Sequence, residues 1–218
     1  MVFVRVSTRR GAIGLAVVAV AAGCGADSKK QPLSAGDLRR ITIVRPMTPG
    51  WGWPQKPNPP DAPPPHESRH TKQIPAPLHD PLADALNRQI TAAGGVVASD
   101  GWRWQDRKKL GVTLAWLLES AAGAHTALAA ERAFQLGWVK RTVDGGHFKD
   151  VPIERLGEEA WRIQSDFPGG QEVTFGWRRA SLVLQIHIQC IFQTCPSDIR
   201  KAGRAWADAI DKEARTSR

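Results

Sequence analysis

The chain has 218 residues, with 30 Lys+Arg against 21 Asp+Glu, 16 Pro, 9 Trp, 3 Cys and no Tyr. That length allows one domain with tails, and 42% apolar residues are enough for a core, which excludes wholesale disorder. Three cysteines exclude a disulfide-dense scaffold and a four-cysteine zinc module.

Residues 1–23 read as an export signal. Arg5, Arg9 and Arg10 form a positive start, and the apolar, small-residue run from Gly11 to Ala22 is too short to span a bilayer as a free helix. The run ends in Ala21-Ala22-Gly23-Cys24, which resembles a bacterial lipobox. The resemblance implies that the Cys24 thiol is alkylated by a diacylglycerol and that the chain is then cut before it. Two or more fatty-acyl (palmitate-type) chains anchor a protein stably where one does not. The expected location is the cell membrane, lipid-anchored, on the extracytoplasmic side. Ala19-Val20-Ala21 leaves ordinary signal cleavage open, and Thr8-Arg9-Arg10-Gly11 leaves twin-arginine export open beside the general route. Processing removes three arginines and no acid, leaving +6 of the formal +9. Such a surface attracts anionic headgroups or acidic wall polymers. No nucleic-acid motif accompanies it, so nucleic acid is not expected as a partner.

Residues 24–79 hold most of the prolines, including Pro57, Pro59, Pro60, Pro63, Pro64 and Pro65. Proline lacks a backbone N–H and restricts its predecessor, so an extended, semi-rigid linker is predicted. Within it, Ile41-Thr42-Ile43-Val44 reads as a short strand docking on the domain, and Trp51 and Trp53 as indoles that dock or bind a partner. His66-Glu67-Ser68-Arg69-His70 matches the zinc-protease pattern literally. That chemistry needs a helix, and prolines flank the motif on both sides, so no metal is assigned.

Residues 80–218 read as the globular domain. Asp80-Pro81 is a cap followed by proline at the first helical position, and Gly94-Gly95 stops that helix. Val96 to Trp104 suits a short strand. From Gly111 to Glu119 the run is apolar enough for a strand with both faces at least partly covered: Val112, Leu114, Trp116 and Leu118 on one, Thr113, Ala115 and Leu117 on the other. Ser120 caps an Ala-rich helix expected to run to Leu136 and end at Gly137. Three strand-like runs follow. Trp161 and Ile163 mark the first, and Val173, Phe175 and Trp177 the second. In the third, Leu182, Leu184, Ile186, Ile188 and Cys190 alternate with Val183, Gln185, His187 and Gln189. Arg178-Arg179-Ala180 is the expected hairpin turn. A last helix runs from Pro196 to about Ala214, with Ile199, Ala202, Trp206 and Ile210 buried. The sum is an α+β fold: an antiparallel sheet of about four or five strands with three helices on one face.

With Cys24 acylated, Cys190 and Cys195 remain, and export takes them into an oxidising space. A disulfide pinning strand to helix is predicted, and the C-x4-C spacing is not that of a thiol oxidoreductase. The polar face of the last strand, Gln185, His187 and Gln189, is the candidate ligand face, with Arg162, Gln164 and Thr174 as neighbours by parity. No nucleophile elbow, P-loop or dinucleotide fingerprint occurs, so no catalytic residue, cofactor or metal is assigned.

Leu156-Gly157-Glu158-Glu159-Ala160, the hairpin from Val173 to Ile188, and Cys190…Cys195-Pro196 leading into Arg204-Ala205-Trp206-Ala207-Asp208-Ala209-Ile210 resemble small lipoproteins of high-GC actinobacteria. Such domains are similar to extracellular sensor-like domains of actinobacterial kinases. The resemblance covers about residues 150–215 and the lipobox, and it implies ligand or partner sensing without catalysis. Three readings stand at this point. The first is a membrane-anchored binding or sensor-like module, not an enzyme, with a cell-wall polymer or membrane protein as partner. The second is a structural envelope protein acting through its linker. The third is an envelope hydrolase with an unrecognised site.

Overall fold

The computed structural model describes residues 33–44, 80–105, 109–142, 147–153, 155–191 and 198–217. They belong to one compact unit. Four helices, α1 (Ala35–Thr42), α2 (Pro81–Ala92), α3 (Ala121–Thr142) and α4 (Ile199–Thr216), accompany six strands. The strands are β1 (Val96–Gln105), β2 (Lys109–Leu118), β3 (His147–Pro152), β4 (Glu159–Phe167), β5 (Gly170–Arg179) and β6 (Leu182–Ile191). They form one sheet in the order β1-β2-β6-β5-β4-β3, every neighbouring pair antiparallel. The α+β class and the antiparallel sheet agree with the sequence reading. The counts differ: six strands rather than four or five, and four helices rather than three among the described residues. The added strand, β3, is polar and largely exposed, so no alternation announces it.

The larger correction concerns layering. The helices cover both faces of the sheet, not one. On one face α1 and α4 pack Leu38, Ile41, Ala202, Trp206 and Ile210 against Val173, Phe175, Trp177, Leu184 and Ile186. On the other, α2 and α3 pack Leu86, Ile90, Ala124 and Leu128 against Trp161, Ile163 and Val183. Period-2 alternation puts Phe175 and Ile186 on the first face and Ile163 and Val183 on the second. Burial on both sides explains the double apolar face of β2.

Ser34 caps α1 in a reciprocal capping box with Asp37. Leu38 and Ile41 enter the core, Thr42 hydrogen-bonds Asp100 of β1, and Trp206 donates its indole N–H to the Val44 carbonyl at 2.6 Å. Residues 33–44, expected inside an extended linker and with a strand at 41–44, are thus a helical element of the folded domain. The docking was legible; the secondary structure was not. The remainder of the expected linker, with Trp51, Trp53, His66, Glu67 and His70, lies outside the described residues.

α2 starts as expected, Asp80 accepting from the Leu82 amide. Ser120 accepts from the Gly123 amide to open α3. α3 then runs through Gly137 to Thr142, past its expected end. Gly137 is there for contact: a Cβ would come 2.9 Å from Leu82, so glycine lets α2 lie close. α4 begins later than expected, at Ile199, because Asp198 takes the cap and accepts from the Arg200 and Lys201 amides.

Candidate functional site: a polar floor under helix α3

On the α2/α3 face the sheet changes character along the strands. The row Trp161, Gly176, Gln185 and Leu114 lies across β4, β5, β6 and β2. The next is Ile163, Thr174, His187 and Val112, and the last is Ser165, Glu172, Gln189 and Leu110. The first row is dry. Trp161 donates its indole N–H to the Leu128 carbonyl of α3, and Gly176 leaves the space its ring fills. The last two rows carry hydroxyls, an imidazole, an amide and a carboxylate.

These groups are ordered by one another. Thr174 Oγ1 and His187 Nδ1 share a hydrogen bond of 2.9 Å, and Ser165 donates its hydroxyl to Glu172 at 2.6 Å. Thr174 and Ser165 are buried, whereas His187, Glu172 and Gln189 keep partial exposure. Burial holds the His187 pKa below the ordinary histidine value, and the Glu172 charge opposes that. His187 is therefore a neutral imidazole at neutral pH, with one nitrogen engaged by Thr174.

Gln185 was expected on the same open face and is not open. It is 5% exposed, because α3 lies over it and brings Glu131 to it. Glu131 is 3% exposed, and its carboxyl accepts from Gln135 at 2.8 Å. Desolvation pushes its pKa up to about 7, with Gln135 and Gln185 restraining the rise. Of the neighbours expected by parity, Thr174 belongs to the floor. Arg162 and Gln164 do not: their register partners Phe175 and Val173 place them on the α1/α4 face. Trp161 and Ile163 face a different core from Val173 and Phe175, which parity along each strand does not reveal. Glu131 was missed, yet it completes the stripe Ala124, Ala127, Leu128 and Glu131 at helical spacing.

At the opposite end of the strands from this floor, the Leu156-to-Ala160 stretch is a clamp on the β5–β6 hairpin. Leu156 is buried and Gly157 has a φ of 63°. Glu158 accepts from the Ala180 amide at 2.8 Å, where Ala180 turns the hairpin with a φ of 47°. Arg178 bridges Glu158 and Glu159 and holds the Glu159 pKa below the ordinary carboxylate value, and His125 joins Glu159 from α3. The two acids are thus paired through one guanidinium.

Cys190 is fully buried at the end of β6; Cys195 and Cys24 lie outside the described residues. Among the described residues no cluster of three or more His, Cys, Asp or Glu converges to hold a metal, and no helix is long and apolar enough to cross a membrane. The described fold defines an α+β domain with an antiparallel sheet between two pairs of helices.

No protein-family model and no curated protein matches the chain. Among solved structures, it is similar to the extracellular domain of PknH from Mycobacterium tuberculosis. The TM-score is 0.40 at 10% identity, over 58% of this chain and 69% of that one. A likeness of that strength bears on neither mechanism nor ligand.

Proposed function

We propose that the protein is a lipid-anchored extracytoplasmic lipoprotein whose α+β domain is a non-catalytic binding module, with the His187–Gln189 floor as its ligand surface. One observation carries the reading: on a sheet with helices packed on both faces, one end of one face is polar, partly exposed and held in place by its own hydrogen bonds. A neutral imidazole, two hydroxyls and an amide suit a ligand rich in hydroxyl and amide groups, such as a cell-wall fragment. Gln185 contributes by seating α3 rather than by contact. The anchor rests on the positive start, the short apolar run and Cys24, and the Cys190–Cys195 disulfide is part of the same exported state.

Crosslinking in the native envelope, read by mass spectrometry, tests the surface. The expected result is a partner or wall fragment attached near Thr174, His187 or Gln189, lost in the H187A/Q189A variant. Unchanged crosslinks in that variant remove the floor from the reading. Fatty-acid labelling tests the anchor: it should disappear in Cys24→Ser, and labelling that persists there refutes lipidation at this cysteine. Intact mass under non-reducing conditions should fall by two hydrogens for the Cys190–Cys195 bond.

A further inference from the structure

The polar floor reaches further than the strands that carry Thr174, His187 and Gln189. Its last row runs out to the sheet edge. Phe148 of β3 lies opposite Ser165 of β4, Ser165 opposite Glu172 of β5, and Glu172 opposite Gln189 of β6. Residues directly opposite share a face, with Cβ atoms about 5 Å apart, so Phe148 stands on the α2/α3 face as the next side chain after Ser165. It is 38% exposed. A lone exposed phenyl is ordinary on a protein surface. This one closes a row of a hydroxyl, a carboxylate and an amide.

Helix α3 leaves that row open. His125 joins Glu159, and Glu131 reaches Gln185, one row further along the strands, so the helix advances towards the last row. Trp138 follows Glu131 by seven residues, about two turns and about 10 Å along the axis, and so leaves α3 on the same side. It is nevertheless 40% exposed. The last turns of α3 thus border the floor without sealing it. Trp138 is a wall there and not a free platform. Phe134 stacks on its ring with centroids 6.4 Å apart, and Arg141 lies 5.8 Å from its centroid.

We propose that Phe148 and the Ser165–Glu172–Gln189 row bind an uncharged oligosaccharide, with the C–H face of one sugar ring stacked on Phe148 and hydroxyls of the adjoining rings held by Glu172 and Gln189. This rests on the floor being the ligand surface and names the class of ligand. A sugar ring presents C–H groups on its faces and hydroxyls at its rim, which matches an aromatic ring beside polar groups. Glu172 accepts from Ser165 at 2.6 Å, and a carboxylate has lone pairs for further donors. The Gln189 amide both donates and accepts. Three strand spacings separate Phe148 from Gln189, about 14 Å, so the row spans more than one sugar ring. The Glu172 charge disfavours a uronate or phosphate in the same place.

Calorimetric titration of the full chain with the β-linked tetramer of N-acetylglucosamine tests this, with F148L, F148W and E172Q as variants. F148W should bind at least as tightly as wild type. F148L keeps an apolar side chain without a ring and should lose about tenfold, and E172Q should lose about tenfold with its charge-assisted hydrogen bonds. Sugar C–H resonances should move upfield on binding wild type, under the phenyl ring current, and not on binding F148L. The tetramer of galacturonic acid should bind wild type more weakly than the neutral tetramer, and the gap should narrow in E172Q. Absence of binding by the neutral tetramer overturns the proposal, as does F148L or E172Q binding equal to wild type, or tighter binding of the galacturonate. If F148L does not fold, F148W and E172Q decide: lost binding in the first or unchanged binding in the second overturns it. Envelope crosslinks separate this failure from that of the floor. Crosslinks that still depend on His187 and Gln189 keep the floor and give it a ligand other than a sugar, whereas crosslinks independent of both remove the floor itself.

Discussion

Glu131 is an acid placed where an ion is poorly solvated. Its Oε2 and the Oε1 of Gln185 are both buried, and neither meets a hydrogen-bond donor among the described residues. A protonated carboxyl carries its own donor, and a pKa pushed up to about 7 keeps it protonated through mildly acidic pH. The folded-state pKa lies above the unfolded value, so the stabilisation is complete below the ordinary carboxylate pKa and is lost as pH rises towards 7. The expected loss is about 3 kcal/mol, since each tenfold difference in proton affinity between the folded and unfolded chain is worth about 1.4 kcal/mol. Chemical denaturation between about pH 4.5 and pH 8 checks this, and Glu131→Gln should flatten the slope while stabilising the protein at the alkaline end. His187 acts in the opposite direction. Its lowered pKa means that acid below the ordinary histidine range favours the unfolded chain, so the difference between wild type and Glu131→Gln isolates the carboxyl. A slope that survives the substitution belongs to another group. At the same scale, Gly176→Ala would bring a methyl 2.3 Å from the Trp161 indole. The ring must move and its bond to the Leu128 carbonyl stretch, so a loss of about 1–3 kcal/mol of stability, read from the denaturation midpoint, is expected.

At the scale of elements, helix α1 is the one most at odds with its neighbourhood in the sequence. Its residues Ile41 to Val44 have β propensity, but the Ser34–Asp37 capping box fixes a helical start, and tertiary burial of Leu38 and Ile41 decides the rest. Ile41→Ala should cost about 2–5 kcal/mol, as for other fully buried large-to-small changes. A chain beginning at Asp80 should melt well below one beginning at Gln31; equal melting would show that α1 adds nothing to the domain. Strands β2, β5 and β6 were legible because their apolar positions alternate in register with real core contacts. Helices α2 and α3 were legible at their starts, where Asp80 and Ser120 cap, and less so at the end of α3, where Gly137 serves contact with Leu82. The candidate site was half legible. His187 and Thr174 could be paired by parity, but parity within a strand does not say which of two cores a strand faces. Arg162 was therefore assigned to the wrong side.

The whole described domain has two cores separated by one sheet. Each strand of the centre contributes to both, Val183 to one and Leu184 to the other, so neither core can be lost without removing the floor of its partner. Unfolding should be a single transition, as in other small domains whose layers share a sheet. Far-UV circular dichroism and tryptophan fluorescence should give coincident midpoints, Trp177 and Trp206 reporting on one core and Trp161 on the other. Separate midpoints would show that one helical layer peels away first. The buried Arg179–Asp211 pair fastens the start of the β5–β6 hairpin to α4, and the Glu158 clamp holds its turn, so the hairpin is tied to both layers.

The early position of α1 also sets a leash. Ser34, where the domain's first helix is capped, is the tenth residue after Cys24, and ten residue steps reach at most about 35 Å when fully extended. If the acyl chains are on Cys24, the domain cannot stand off the bilayer by the length of the proline-rich stretch, because that stretch follows α1 and returns to α2 of the same domain. The module then works within about one domain diameter of the headgroups, and the proline-rich residues connect two helices of the domain rather than the domain to its mooring.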